Sequence, residues 1–150
     1  MKTITVSNGD IQLNNGKIQF STGSDKLIQD MNRWLTEPLG TGWTTPGFGS
    51  LLPNYIGQPQ IAGQSSLIEN EIIRVLQLYI GQQTLDLQSA QNSAQLSNWN
   101  RSEIIQSVYS VNSQVQGNAV LVSVALQTLS QNLVNININI NNTGVSVTNG

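Results

Sequence analysis

Eight carboxylates, Asp10, Asp25, Asp30, Glu37, Glu69, Glu71, Asp86 and Glu103, are the groups through which this 150-residue chain could act as a general acid or base. Hydrolysis of a glycosidic bond needs two such groups flanking the scissile linkage. Glu37, just before Pro38, is the only one beside the Gly-rich segment that follows, and no second acid falls within that segment. It reads as a solvated helix end, so the spacing argues against a hydrolase. His and Cys are absent, which removes the commonest base at neutral pH, thiol redox chemistry, disulfides and the usual zinc sites. No enzyme activity, cofactor or metal is expected.

The Gly-rich segment contains Gly40, Gly42, Gly47 and Gly49, but a phosphate cradle needs Gly-Lys-Ser/Thr or a Gly pattern directly after a strand. Neither is present. Trp43 and Phe48 lie in the same segment, and no basic residue falls between Arg33 and Arg74 to hold a nucleic-acid backbone. Both aromatics are therefore expected as packing anchors, with Trp43 also a candidate partner contact. Trp99-Asn100-Arg101 offers a cation–π or partner contact, or simply marks a helix-to-strand junction.

Composition narrows the class further. Charged residues make up 9% of the chain, against about 25% in ordinary soluble domains, and polarity comes instead from 35 Asn and Gln. A net charge of −2 with six Lys and Arg supplies no electrostatic term for nucleic acid or anionic lipid. Residues 1–150 fit a single domain. The N-terminus lacks the apolar core of a signal peptide, and no apolar run reaches membrane-span length.

The elements that position these residues follow from periodicity. Ile11-Gln12-Leu13, Asn14-Asn15-Gly16 and Lys17-Ile18-Gln19-Phe20 predict a hairpin. Thr22-Gly23-Ser24 predicts a helix start, Leu27, Met31, Trp34 and Leu35 share one face, and Pro38 ends the helix. Residues 38–59, with four Pro and five Gly, read as a long loop with a job. Ser66-Leu67-Ile68-Glu69 reads as a capping box opening a second helix with an Ile68, Ile72, Val75, Leu76, Tyr79 stripe. Residues 82–98 read as a weak helix or ordered connector.

After Arg101 the period changes to two. A strand over about 104–115 turns at Gly117-Asn118 into one lined by Val120, Val122, Val124 and Leu126. Val134, Ile136, Ile138 and Ile140 then alternate with Asn135, Asn137, Asn139 and Asn141, and a turn leads to Val145 and Val147. No charged residue occurs from Ile104 to Gly150. Natural sheets guard a free edge with charge or Pro, so an unguarded one is expected to receive a partner strand, along either Asn135–Ile140 or Val145–Val147.

Asp25-Lys26-Leu27-Ile28-Gln29-Asp30-Met31-Asn32-Arg33-Trp34-Leu35-Thr36, then Leu39-Gly40, Pro46-Gly47-Phe48-Gly49-Ser50, Leu51-Leu52 and Tyr55-Ile56-Gly57, resemble the baseplate wedge and sheath-initiator family of contractile phage tails. That family also has members in type VI secretion baseplates and tail-derived bacteriocins, and carries an older "lysozyme-like" label. The resemblance implies a structural loop at Pro46, Gly47, Phe48 and Gly49. It further implies a virion component made in the bacterial host cytoplasm, present in several copies in a symmetric ring, with sheath, wedge and tube or hub proteins as partners. Where the family loop carries Glu and Arg, this chain has Thr41-Gly42-Trp43-Thr44-Thr45.

The expectation is thus an α+β domain, an N-terminal β-hairpin and two main helices packed on a C-terminal antiparallel sheet, that templates sheath polymerisation by strand pairing. The alternatives are another tail structural protein, an amide-rich self-assembling β-protein or, behind both, a muramidase-like hydrolase.

Overall fold

The computed structural model describes residues 1–7, 9–59 and 62–150, and its fold is α+β. The chain opens with six two-residue strands: β1 (Thr3–Ile4), β2 (Val6–Ser7), β3 (Asp10–Ile11), β4 (Leu13–Asn14), β5 (Lys17–Ile18) and β6 (Phe20–Ser21). They pair as three short arms, β1 with β6, β2 with β3 and β4 with β5. The hairpin expected over residues 11–20 is corrected accordingly. Only Leu13–Asn14 and Lys17–Ile18 pair around the Asn15-Gly16 turn, while Ile11 returns to Val6 and Phe20 to Ile4.

At the junction of the arms the backbone closes a ring of hydrogen bonds. Thr5 N–H donates to Gln19 O, Gln19 N–H to Gln12 O and Gln12 N–H to Thr5 O, at 2.9–3.0 Å. The cause is a seven-residue repeat: Ile4, Ile11 and Ile18; Val6, Leu13 and Phe20; Gly9, Gly16 and Gly23. Each repeat ends on a Gly with positive φ, at 82°, 75° and 62°, a conformation that favours glycine.

Helix α1 (Gly23–Thr36) buries Leu27, Met31 and Leu35, and Glu37 leaves helical geometry just before Pro38, as the clash of a proline ring with a preceding helical residue requires. Helix α2 (Ala62–Asn92) is longer than expected. The Ser66 to Glu69 capping box lies inside it, and of residues 82–98, expected as a weak helix or ordered connector, those up to Asn92 continue the helix. No Pro interrupts that run, and its Gln, Leu and Ala residues are good helix formers. Gln83 anchors this second half: its Nε2 donates to Glu103 O at 2.7 Å and its Oε1 accepts from Ile105 N–H at 3.1 Å.

The C-terminal sheet runs β7 (Ile105–Gln116), β8 (Ala119–Thr128), β9 (Leu133–Ile140) and β10 (Val145–Asn149), antiparallel throughout, in the spatial order β10-β9-β8-β7. Val120, Val122, Val124 and Leu126 of β8, with Val134, Ile136, Ile138 and Ile140 of β9, form the buried face against Leu27, Met31, Leu35, Ile68, Ile72, Val75 and Leu76. Each such side chain contributes roughly 1.5–3 kcal/mol, and a one-residue slip would expose the set, so burial fixes the register. Helix α1 packs on β10 and α2 on β7.

Candidate strand-docking edge

The strand order decides which residues can receive a partner strand. β9 is central, paired to β8 along one side and β10 along the other. Asn135, Ile136, Asn137, Ile138, Asn139 and Ile140 are therefore not a docking edge. The sequence pattern could not settle this, because a central and an edge strand with one buried face alternate identically. The two edges are β7 and β10.

The β7 edge is blunted. Its ladder to β8 is irregular between Ile105 and Ser107 and again between Val108 and Ser110, and such bulges twist an edge away from flat pairing. Midway along it, Glu69 of α2 accepts the Ser113 N–H at 2.8 Å. A carboxylate sits where a partner's carbonyl would have to be.

The β10 edge has no such guard. Gly150 N–H donates to Asn135 O, and Asn141 N–H to Gly144 O. With Ser146 opposite Asn139 and Thr148 opposite Asn137, the alternation of an antiparallel ladder turns Ser146 and Thr148 inward to β9 and leaves Val145, Val147 and Asn149 with their N–H and C=O directed outward. The turn that delivers the strand is held by Asn141, whose Oδ1 accepts from Thr143 N–H at 2.8 Å and Gly144 N–H at 3.1 Å.

Beside this edge lies an open cleft of about 640 Å³, lined by Val147 and Asn149, by Asp25, Ile28, Gln29 and Asn32 of α1, and by residues 5–6 and 19–22. Gln29 shapes its floor. Its side-chain amide acts as a substitute peptide unit, Nε2 donating to Ile4 O at 2.8 Å and Oε1 accepting from Val6 N–H at 3.2 Å. Asp25 is the only ionisable side chain in the lining. Of the five principal clefts among the described residues, none contains two carboxylates.

The loop between the helices is ordered by backbone and buried polar contacts. Leu39 N–H donates to Ser50 O at 2.9 Å and Ser50 N–H to Glu37 O at 2.8 Å. Ser50 Oγ donates to Leu35 O at 2.6 Å and accepts from Leu52 N–H at 3.2 Å. Gly49 sits at φ +103°, where a Cβ would fall 2.6 Å from Glu37 O. Glu71 Oε1 accepts from Leu51 N–H at 2.7 Å and from Arg74 at 2.6 Å. Burial pushes this carboxyl up, but the Arg74 hydrogen bond, the Leu51 N–H and the Arg74 charge together hold it below its ordinary value.

Phe48 rests on α1, its ring 4.5 Å from that of Trp34 and under the Arg33 guanidinium at 5.2 Å. It packs there as expected of an anchor, with the ring half-buried. Trp43 is 93% exposed, so it is not the packing anchor expected, because no apolar surface among the described residues comes over it. Trp99 and Arg101 line a second cleft with Met1, Lys2, Thr22 and residues 97–100. Trp99 and Arg101 thus line a different cleft from the one beside β10. Asn149 and Gln29, the outward-bonding residue and the amide clamp, were missed because neither residue type carries a strand-edge signal. The repeat in residues 3–23 was legible and is the signal that would have found the three-armed junction.

Compared with protein-family models, with curated proteins and with solved structures, the chain matches none of them.

Proposed function

We propose that the chain is a structural component of a contractile-tail baseplate that receives or donates a strand along β10 and so sets the register of the first sheath subunits. The assignment to a tail rests on the resemblance carried by residues 25–57. The mode of action rests on one observation: β10 is an uncharged edge with Val145, Val147 and Asn149 bonding outward, whereas the opposite edge is closed by Glu69 and two bulges. Strand addition draws affinity from main-chain hydrogen bonds and register from alternate side chains. With a single ionisable side chain in the cleft, assembly depends weakly on salt.

The test is sheath polymerisation from purified components with Asn149→Pro, which removes one outward donor at an exposed position and leaves the buried face of β10 intact. The variant is expected to keep the wild-type fold by circular dichroism and to fail in nucleating full-length sheath. Normal nucleation by a folded Asn149→Pro chain overturns strand docking at β10.

A further inference from the structure

Helix α1 carries two stripes. Leu27, Met31 and Leu35 are buried in the core, whereas Asp25, Ile28, Gln29 and Asn32, three and four residues apart and so on one face, line the cleft beside β10. Gln29 is committed to the backbone of Ile4 and Val6, which leaves Ile28 and two polar residues to meet an incoming chain. Val147 joins them from the sheet edge, and Val6 and Phe20 from the N-terminal arms. Val6 is 44% and Phe20 57% exposed. Single exposed apolar residues need no explanation, but these open into one cleft next to an unpaired strand edge.

Geometry limits what fits there. Val147 pairs with Ile138 and Asn149 with Ile136, so their side chains share the face on which those isoleucines are buried, the face that α1 covers. A strand added to β10 places every second side chain on that same face. Those side chains enter the cleft, whose walls offer Ile28, Val6, Phe20 and Val147, and aliphatic groups suit such walls.

Charge limits it further. Asp25 is the only ionisable side chain in the lining, and among the described residues it makes no hydrogen bond or ion pair. The helix dipole favours a carboxylate in this first turn, yet the group still gives an incoming chain one anionic partner in an otherwise uncharged cleft.

Given strand docking at β10, on which this rests, we infer that the cleft selects a strand with aliphatic side chains on its α1 face and a Lys or Arg on that face to meet Asp25. The occupant belongs to another protein rather than to a second copy of this chain. From Ile104 to Gly150 there is no Lys or Arg, so none of the chain's own four sheet strands supplies the cation, and β10 paired with its own copy would leave Asp25 unmet. Main-chain bonds hold any strand, and the cleft adds the choice among strands.

Heptapeptides blocked at both ends, of the form X-Thr-Val-Thr-Val-Thr-X, test this, because X and Val share one face in either strand direction. Binding of dye-labelled peptides to the full chain is read by fluorescence anisotropy up to about 1 mM. The peptide with Lys at X is expected to bind about two- to fivefold tighter than that with Gln, and the one with Glu more weakly still. Replacing both Val by Gln is expected to weaken binding about tenfold or more. Asp25→Asn is expected to level the three peptides and Asp25→Lys to reverse their order, with the fold unchanged by circular dichroism. Phe20→Thr is expected to narrow the difference between the Val and Gln peptides.

Equal binding of the Lys, Gln and Glu peptides, or no loss on replacing Val, overturns the selectivity of the cleft; if that binding is abolished by Asn149→Pro, strand docking itself stands. Peptide binding that persists unchanged in a folded Asn149→Pro chain overturns strand docking and the selectivity with it. No binding by any peptide overturns the assignment, and a dimer of the chain that the Lys peptide does not dissociate makes a second copy the occupant instead.

Discussion

Gly49→Ala tests whether the loop between the helices is held by backbone geometry. The added methyl would meet Glu37 O at 2.6 Å and the Pro38 carbonyl carbon and oxygen at 3.0 Å, all backbone atoms, at a φ of +103°. Nothing flexible can yield, so the strand-like bridge between Pro38 and Ser50 has to open. Backbone strain of this kind costs about 1–3 kcal/mol, and loss of the 2.8 Å Ser50 N–H to Glu37 O bond adds about 0.5–1.5 kcal/mol. The expected loss is therefore about 2–4 kcal/mol, read as a shift of the urea midpoint by roughly 1–2 M for a domain of this size. Gly40→Ala serves as the control: φ is +84° but nothing lies within 4 Å of the added Cβ, so only the conformational cost of about 1 kcal/mol applies. Equal losses in the two variants, or a Gly49→Ala loss under about 1 kcal/mol, would refute the argument from close approach.

Phe48→Ala is expected to cost about 1–2 kcal/mol in the same titration, below the 3–5 kcal/mol of a fully buried ring, and a loss in the upper range would mean that the ring is enclosed. Glu71 is held below its ordinary value of 4.5 in the fold, so its contribution is complete above the unfolded value and is lost as pH falls through the folded one. Glu71→Gln is accordingly expected to be about 1–2 kcal/mol less stable at pH 7, with the gap to wild type closing as pH drops below about 4.5; a gap that widens in acid would contradict that sign. Asn137→Pro, at an inward position of a central strand, is expected to unfold the sheet, while Asn149→Pro leaves thermal unfolding nearly unchanged; the reverse order by calorimetry would mean that β10 is not the edge.

The periodicity of two after Arg101 was sufficient to place all four strands of the sheet, because one face of each of β8 and β9 is buried without exception. What the pattern does not carry is strand order. Val134 to Ile140 alternates just as an edge strand would, and only pairing on both sides shows it to be central. Similarly, Ser66 to Glu69 has the composition of a helix start, but that signal is local, and a helix with no Pro or Gly ahead of the box other than Gly63 runs through it. Burial at the loop was misjudged for a related reason. Trp43 and Phe48 are both large and apolar, yet only Phe48 lies within reach of Trp34 and Arg33 on α1. The residues that define the docking edge, Val147 and Asn149 facing out and Glu69 closing the other side, depend on tertiary pairing and have no signature of their own.

Residue-resolved hydrogen exchange of β10, in the isolated chain and in the assembled tail, bears most directly on the account. In the isolated chain the amides of Ser146 and Thr148, bonded to β9, are expected to be protected and those of Val147 and Asn149 to exchange freely. In the assembly all four become protected, the outward pair through the partner strand. Protection of Val147 and Asn149 that does not change on assembly would contradict strand docking at this edge.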